Sequence, residues 1–282
     1  MKNLNGKVVA LTGAASGIGR CLAIQLSDLG CHLALADIDE KGLEETITLL
    51  TKTTKVSLHI VDVANKDRVY AWADEVVAEH GHVDVVINNA GVASHARIDE
   101  ISYEDFDWVF NIVFYGVLYS TKAFLPHLKQ RLEANIVNIS SVNGFFPFPK
   151  NGPYNAAKHA VKALNQTLIQ ELSHTSVRVT SVHPGGIKTN IVRNARFAQE
   201  GDDKDEKVKY FDKMTGTSAE KAASIIIGGL KKNRKRQLVG KDAVIIDLLV
   251  RLFPQSFSDL VGKVFELIEK EKQKEKQKQK QK

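Results

Sequence analysis

The sequence predicts an α/β protein: one doubly wound parallel sheet carrying a helical extension at its C-terminal end. Three observations point there. Short β-branched apolar runs alternate with longer helical patterns through most of the chain. Those runs lack clean polar alternation, as expected of strands buried on both faces. A glycine-rich turn, TGAASGIG at 12–19, joins the first apolar run to the first helical one. Right-handed crossovers then place helices on both sides of the sheet.

Taken in order, KVVALT (7–12) is the first strand, and the helix after Gly17 buries Ile18, Leu22, Ile24 and Leu26. CHLALAD (31–37) is the second strand, 40–52 a helix, and VSLHIVD (56–62) the third strand. Residues 66–80 form a helix before the fourth strand, VDVVINN (83–89). A long helical region over 103–131 leads to NIVNIS (135–140), the fifth strand. A helix over 153–174, with Pro153 in its first turn, precedes VRVTSVH (177–183), the sixth. The polar stretch 186–217 breaks this rhythm and reads as a substrate lid; it ends in helix-start chemistry at Thr217 and Ser218. QLVG (237–240) supplies a short edge strand.

The chain of 282 residues therefore divides into a main domain (1–241), an apolar and amphipathic extension (242–268) and a Lys/Gln/Glu tail (269–282) expected to be disordered. In the extension AVIIDLLVRLF (243–253) is apolar almost all round until Pro254 stops it, and Phe257, Leu260, Val261, Val264, Phe265 and Ile268 share one helical stripe. Three readings of that stripe stay open: packing on its own domain, a subunit contact, or peripheral contact of 243–282 with an anionic membrane.

The formal net charge is +6, but the tail holds +4 of it and the run Lys231, Lys232, Arg234, Lys235, Arg236 another +5, which leaves the remainder at −3. A basic nucleic-acid groove in the main body is not indicated. Cys21 and Cys31 have no metal-ligand or C-x-x-C spacing, read as small buried apolar residues, and no metal is expected. The N-terminal stretch has no signal-peptide pattern and no uncharged apolar run is long enough to span a bilayer, so a soluble cytoplasmic body is expected.

Gly13, Gly17 and Gly19 follow a strand and open a helix, the context a phosphate-cradling loop requires. Missing Cβ atoms let the backbone approach a pyrophosphate, and the helix N-terminus offers it unpaired N–H groups. A tight strand-to-helix turn is the alternative reading. Asp37, at the end of the second strand, suits adenosine ribose hydroxyls and repels a 2′-phosphate, favouring NAD over NADP. Arg20 argues the other way. Asp62, ending the third strand, reaches toward the adenine or merely caps the strand.

Tyr154 and Lys158 are spaced to share one helix face. A nearby ammonium favours phenolate and lowers a tyrosine pKa, so the pair reads as an acid/base unit. Ser141 lies at the carboxyl end of the fifth strand, and in an open parallel sheet ligands bind beyond that edge.

TGAASGIG, NNAG (88–91), Asn111, Ser141, YNAAK (154–158) and HPGGIKT (183–189), in this order over about 5–190, resemble the short-chain dehydrogenase/reductase family. The resemblance implies a single Rossmann-like domain and transfer of hydride between a nicotinamide and a secondary alcohol or ketone. It implies Tyr154 as acid/base, Lys158 on the nicotinamide ribose, Ser141 on the reacting oxygen, and Asn111 holding a relay water near Lys158. It also places Gly13, Ser16, Gly17, Ile18, Gly19, Asp37, Asp62, Val63, Asn89, Ala90 and Gly91 along the cofactor, with Tyr154, Lys158, Pro184, Gly185 and Thr189 at its nicotinamide half. A homodimer or homotetramer using helices such as 103–131 and 153–174 follows from the same resemblance. The aromatic run FFPFP (145–149) and the apolar extension point to a lipophilic substrate of steroid, retinoid or long-chain type. His95 stands either against substrate or on the surface. The alternative function is a non-catalytic dinucleotide-binding or membrane-recruited protein on the same fold.

Overall fold

A computed structural model of the chain describes residues 1–52, 54–197 and 216–280. The chain lays down β1 (Val8–Thr12), α1 (Gly17–Asp28), β2 (His32–Asp37), α2 (Glu40–Thr48), β3 (Val56–Ile60), α3 (Lys66–His80) and β4 (Val85–Asn88). After a two-residue β5 (Ser94–His95) come α4 (Tyr103–Phe110), a π-helical turn (Asn111–Tyr115), α5 (Gly116–Leu128), β6 (Ala134–Ile139) and α6 (Gly152–Glu171). Next follow β7 (Val177–Pro184), short β8 (Ile187–Lys188), β9 (Arg196–Phe197) and β10 (Thr217–Ser218), then α7 (Ala219–Lys231) and β11 (Arg236–Val239). Helices α8 (Lys241–Leu252) and α9 (Pro254–Lys280) complete the described chain.

Seven strands form one parallel sheet in the order β11-β7-β6-β4-β1-β2-β3. The order reverses between β1 and β4, and that switch point opens a crevice at the strands' carboxyl ends. Successive residues point to opposite faces. Val9, Leu11, Leu33, Leu35, Val85 and Ile87 pack with Leu22 and Leu26 of α1 and Ile226 and Leu230 of α7. Val8, Ala10, Ala34, Ala36, Val86 and Ile136 pack on the other face with Val69 and Trp72 of α3, Phe124 of α5 and Leu168 of α6. Trp72 and Phe124 meet edge to face at 4.9 Å. Both are fully buried, and truncating either to alanine costs about 3–5 kcal/mol.

Caps fix where the helices begin. The Asp39 carboxylate accepts from Gly42 N at 3.0 Å, the Asn65 side chain from Arg68 N at 3.1 Å, and Ser218 Oγ from Lys221 N at 3.2 Å. Gly81 ends α3 at φ 79°, a conformation glycine takes without strain. Cys31 is buried and Cys21 half-buried; burial pushes their thiols up to about 12 and 11.

Three expectations change. The helical region 103–131 is interrupted by the π turn, which re-aims the residues around it. By length and composition Tyr103–Leu128 is also apolar enough to cross a membrane, with 44% of that window buried inside the fold. Its Val109, Val113, Phe124 and Leu128 are fully buried, as in a core helix. Thirdly, the 269–282 stretch, expected to be disordered, continues α9 as far as Lys280. Glu, Lys and Gln are good helix formers, and the Glu266–Lys270 pair (2.6 Å) supports the turn entering it. Of the proposed lid at 186–217, residues 198–215, including the acidic GDDKDEK run, lie outside the described residues. Its described parts pair β9 with β5 and β10 with β8.

Candidate active site

A cavity of about 1890 Å³ opens along the carboxyl edge of the sheet. At one end the turn after β1 forms a backbone cradle. A Cβ on Gly13, whose φ is +68°, would lie 2.7 Å from Asn89 Nδ2, and one on Gly19 would strike the Gly13 carbonyl. Ser16 caps α1 without a side-chain hydrogen bond, so the first N–H groups of that helix stay available to an anion. Gly13, Ser16, Gly17 and Ile18 line this end, with Asp37, Asp62, Val63, Asn89, Ala90 and Gly91; Gly19 lies beneath the loop. Asn89 Nδ2 donates to the carbonyls of Thr12 and Gly13, both at 3.1 Å, while Thr12 Oγ1 accepts from Asn89 N (3.0 Å) and Ala90 N (3.1 Å). The ends of β1 and β4 are thereby locked beside the cradle.

Asp37 accepts from Ala15 N at 3.0 Å and from Ile38 N at 2.8 Å. Arg20, the residue that argued for a 2′-phosphate, is turned elsewhere. Its guanidinium serves the carbonyls of Ala15 and Gly42, Thr46 Oγ1 and the Glu45 carboxylate, and it does not line the cavity. Asp62 accepts from Ala64 N at 2.9 Å, so it caps the end of β3 while also facing the cavity.

At the middle of the cavity β6 delivers Ser141 and α6 delivers Tyr154 and Lys158. Ser141 Oγ donates to Asn143 Oδ1 at 3.2 Å and accepts from Asn143 N at 3.1 Å, and it lies close enough to the Tyr154 phenol to favour its ionised form. Lys158 Nζ lies over the Tyr154 ring, 5.5 Å from its centroid, and donates to Ile139 O at 2.7 Å. Ser140 Oγ donates to the Lys158 carbonyl at 2.9 Å and ties α6 to the end of β6.

The charge state differs from the sequence expectation. Burial pushes the Tyr154 phenol up to about 12, against a lowering by Ser141. Burial also pushes the Lys158 ammonium, 3% exposed, down to about 7. An ammonium so weakened is a poor source of charge for its neighbour, so in the free protein desolvation outweighs the expected lowering of Tyr154.

Asn111 is the second correction. It begins the π turn on the exposed side and does not line the cavity. Val113 is the buried residue of that turn, packed with Ala157, Val92 and Tyr154. The π turn thus leaves Val113, not Asn111, on the inward side.

Beyond Tyr154 the wall is apolar. Pro184, Gly185, Thr189 and Val192 line it, with Phe148 and Pro149 of the FFPFP run; Phe145 and Phe146 pack inward instead. His95 lines the cavity and meets Phe197 at 5.8 Å. Helices α8 and α9 close this end with Ile246, Leu260, Val261, Val264, Phe265 and Ile268. Phe257 holds α9 down against Phe146 at 4.6 Å.

Several contributors escape the sequence reading. The Asp242 carboxylate accepts from Gly186 N at 2.6 Å and fills the space beside Gly185. Asn155 donates to Phe148 O at 2.8 Å and accepts from Asn143 Nδ2 at 2.7 Å, fixing the loop between Ser141 and Tyr154. His183 donates to the Ser141 carbonyl. One signal is present in the sequence: Asn88, Asn138, Ser181 and His183 are polar residues inside otherwise apolar strands.

Residues 7–200 match the family model for short chain dehydrogenases. The chain is 42% identical over 266 residues to the oxidoreductase-named SadH protein of Mycobacterium tuberculosis, covering 93% of this chain and 96% of that one. It is 34% identical over 199 residues to an uncharacterized oxidoreductase of Staphylococcus epidermidis, covering 71% and 86%. Among solved structures, a short chain dehydrogenase/reductase from Burkholderia phymatum in complex with NAD superposes with a TM-score of 0.83 at 31% identity, covering 89% of this chain and 95% of that one. A short chain dehydrogenase from Mycobacterium paratuberculosis bound to NAD gives 0.73 at 27%, covering 84% and 97%.

Proposed function

The chain belongs to the short-chain dehydrogenase/reductase family, an oxidoreductase family with nicotinamide cofactors, and from that premise we propose that it interconverts a lipophilic secondary alcohol and its ketone with NAD. One observation carries this reading: Ser141, Tyr154 and Lys158 meet midway along a single cavity, between a glycine cradle and an apolar wall. The cradle fits a dinucleotide because glycines at 13 and 19, where a Cβ would strike Asn89 or the Gly13 carbonyl, let the loop turn tightly at the mouth of α1 and leave the helix's first N–H groups facing the cavity. Gly13, Ser16, Gly17 and Ile18 would hold the pyrophosphate, Asp37 the adenosine ribose, and Lys158 with Thr189 the nicotinamide half. When bound, the nicotinamide supplies the hydride acceptor or donor.

The chain's own part is proton handling and positioning. Ser141 Oγ and the Tyr154 phenol hold the substrate oxygen, and Tyr154 gives up or takes the proton on it. Lys158, buried and close to neutral, is poised to exchange its own proton near physiological pH. Asp37 lining the cavity, and Arg20 engaged with α2, support NAD over NADP. The apolar lining from α8 and α9 supports a steroid-, retinoid- or long-chain-type substrate.

For the extension we propose two faces. The inner one closes the cavity; the outer one, with Val244, Ile245, Leu248, Leu252 and Leu267 exposed beside the lysine-rich tail, contacts anionic lipid peripherally from the cytoplasm. A half-buried aromatic ladder from Phe106 through Phe110, Phe114 and Tyr115 to Tyr119, with Tyr115 exposed, supports a homodimer or homotetramer. The alternative, a non-catalytic dinucleotide-binding protein, draws on Val113 standing where the relay residue was expected.

The test follows nicotinamide absorbance with NAD(H) and NADP(H) against alcohols and ketones of rising chain length. Turnover that grows with apolar size and prefers NAD is expected; cofactor binding without turnover across the panel would favour the alternative. Co-sedimentation with anionic vesicles tests the outer face: Leu248→Glu with Leu252→Glu should abolish pelleting, and unchanged pelleting excludes it.

A further inference from the structure

A file of buried polar side chains runs across the sheet to the back of Ser141. Asn88 on β4, Asn138 on β6 and Ser181 on β7 are register partners on one face of the sheet. Asn165 of α6 packs over them, and His183 follows two residues after Ser181. The links are Asn88 Nδ2 to Asn138 Oδ1 (2.7 Å), Asn138 Nδ2 to Asn165 Oδ1 (2.6 Å) and Asn165 Nδ2 to Ser181 Oγ (2.9 Å). Ser181 Oγ then meets His183 Nε2 at 2.9 Å, and His183 Nδ1 meets the Ser141 carbonyl at 3.1 Å. All these residues are at most 6% exposed.

The direction of every bond is forced from one end. A carbonyl can only accept, so His183 Nδ1 carries a proton. A neutral ring then leaves Nε2 bare, and the Ser181 hydroxyl must donate to it. Ser181 Oγ is left as acceptor, which requires the amide nitrogen of Asn165 on that side. The oxygen of Asn165 then faces Asn138, and the oxygen of Asn138 faces Asn88. The sequence of donors ends where it should: Asn88 Oδ1 is the buried atom left without a partner. Protonating His183 would turn Nε2 into a donor and deprive the Ser181 hydroxyl proton of its acceptor, in keeping with a ring pushed down to about 4, first by burial.

We propose that His183 is a positioning residue for Ser141, held as the Nδ1–H tautomer by this one-way chain of amides and hydroxyls. The backbone of Ser141 is gripped from behind while its side chain lines the same cavity as Tyr154. The chain also joins three strands and α6, so the serine from β6 and the tyrosine from α6 are set against one another by the same bonds. Polar groups in the middle of a parallel sheet are costly unless all are satisfied, and here only the terminal oxygen is not.

This rests on the oxidoreductase reading, and the experiment separates the two. Long-range ¹⁵N–¹H spectra of the full-length protein should show His183 Nδ1 protonated and Nε2 bare from about pH 5 to 8. His183→Phe keeps the ring volume and removes both bonds; kcat should fall roughly 10- to 100-fold, with the dissociation constant for NAD within about twofold. His183→Asn retains a donor for the Ser141 carbonyl and should recover kcat to within about fivefold of wild type. An Nε2–H tautomer, parallel loss of NAD binding and kcat in His183→Phe, or His183→Asn no better than His183→Phe would each overturn the proposal. A wild-type protein with the expected tautomer and no turnover on any carbonyl overturns the catalytic reading, and the positioning role with it.

Discussion

The two ends of the cavity are built on opposite plans. The cradle end is made of backbone: a turn with glycine at 13, 17 and 19, the first N–H groups of α1, and two strand ends clamped by Asn89 and Thr12. The substrate end is made of side chains drawn from Phe148, Val192, Ile246 and α9. Between them stand Ser141, Tyr154 and Lys158, the three residues proposed to do the chemistry. Backbone geometry recognises what every dinucleotide shares, whereas an assembled apolar wall can be exchanged without disturbing either the cradle or the chemistry. Specificity and catalysis are therefore separable here, and each variant below tests one side of that division.

The largest effect belongs to the middle. Tyr154→Phe removes the proton donor and acceptor and should lower kcat about 1000-fold or more, leaving the NAD dissociation constant nearly unchanged. A mutant retaining most activity would remove Tyr154 from the mechanism. Gly19→Ala pushes a Cβ into the Gly13 carbonyl. About 3 kcal/mol of lost cofactor binding, or roughly 100-fold in dissociation constant, is expected by titration. An unchanged constant would mean the cradle is not where the dinucleotide lies. Phe265→Ala opens the α9 wall and should raise KM for a long-chain ketone about 10-fold while sparing a small one. Equal effects on both would erase the distinction between the two ends.

The smallest effect concerns stability. Lys158 has a folded value of about 7 against an ordinary 10.5, so between these the unfolded chain binds more protons. Stability of the cofactor-free protein should therefore rise with pH across that window, and the cost of burying the charge is fully present below pH 7. Lys158→Met should raise the melting temperature near pH 6 by a few degrees, with the gain shrinking toward pH 10. A gain that stays constant with pH would mean the lysine titrates normally.

Most of the sheet was legible because its signals are local. Each strand is a short apolar run, and each helix start is a cap a few residues long, as at Asp39, Asn65 and Ser218. The cradle, Asp37, Ser141, Tyr154 and Lys158 were legible for the same reason, since a loop after a strand or two residues four apart on a helix need no distant partner. Asn111 misled because it was carried over from a family motif, and a motif position does not reveal which side of a π turn it falls on; Val113 is the residue packed against Tyr154. The pKa of Tyr154 misled because a charge four residues away is visible in sequence and desolvation is not.

By itself, then, the amino-acid order determined a seven-stranded Rossmann-like fold and which side chains were the candidates for the chemistry, since periodicity, turns and caps act over a few residues. Tertiary structure alone decided what surrounds them: the burial that shifts Tyr154 and Lys158, the file of amides behind Ser141, and the choice of α9 as a wall. Burial and hydrogen-bond direction depend on groups brought together from positions as far apart as 88, 141 and 265, and no local pattern encodes that meeting.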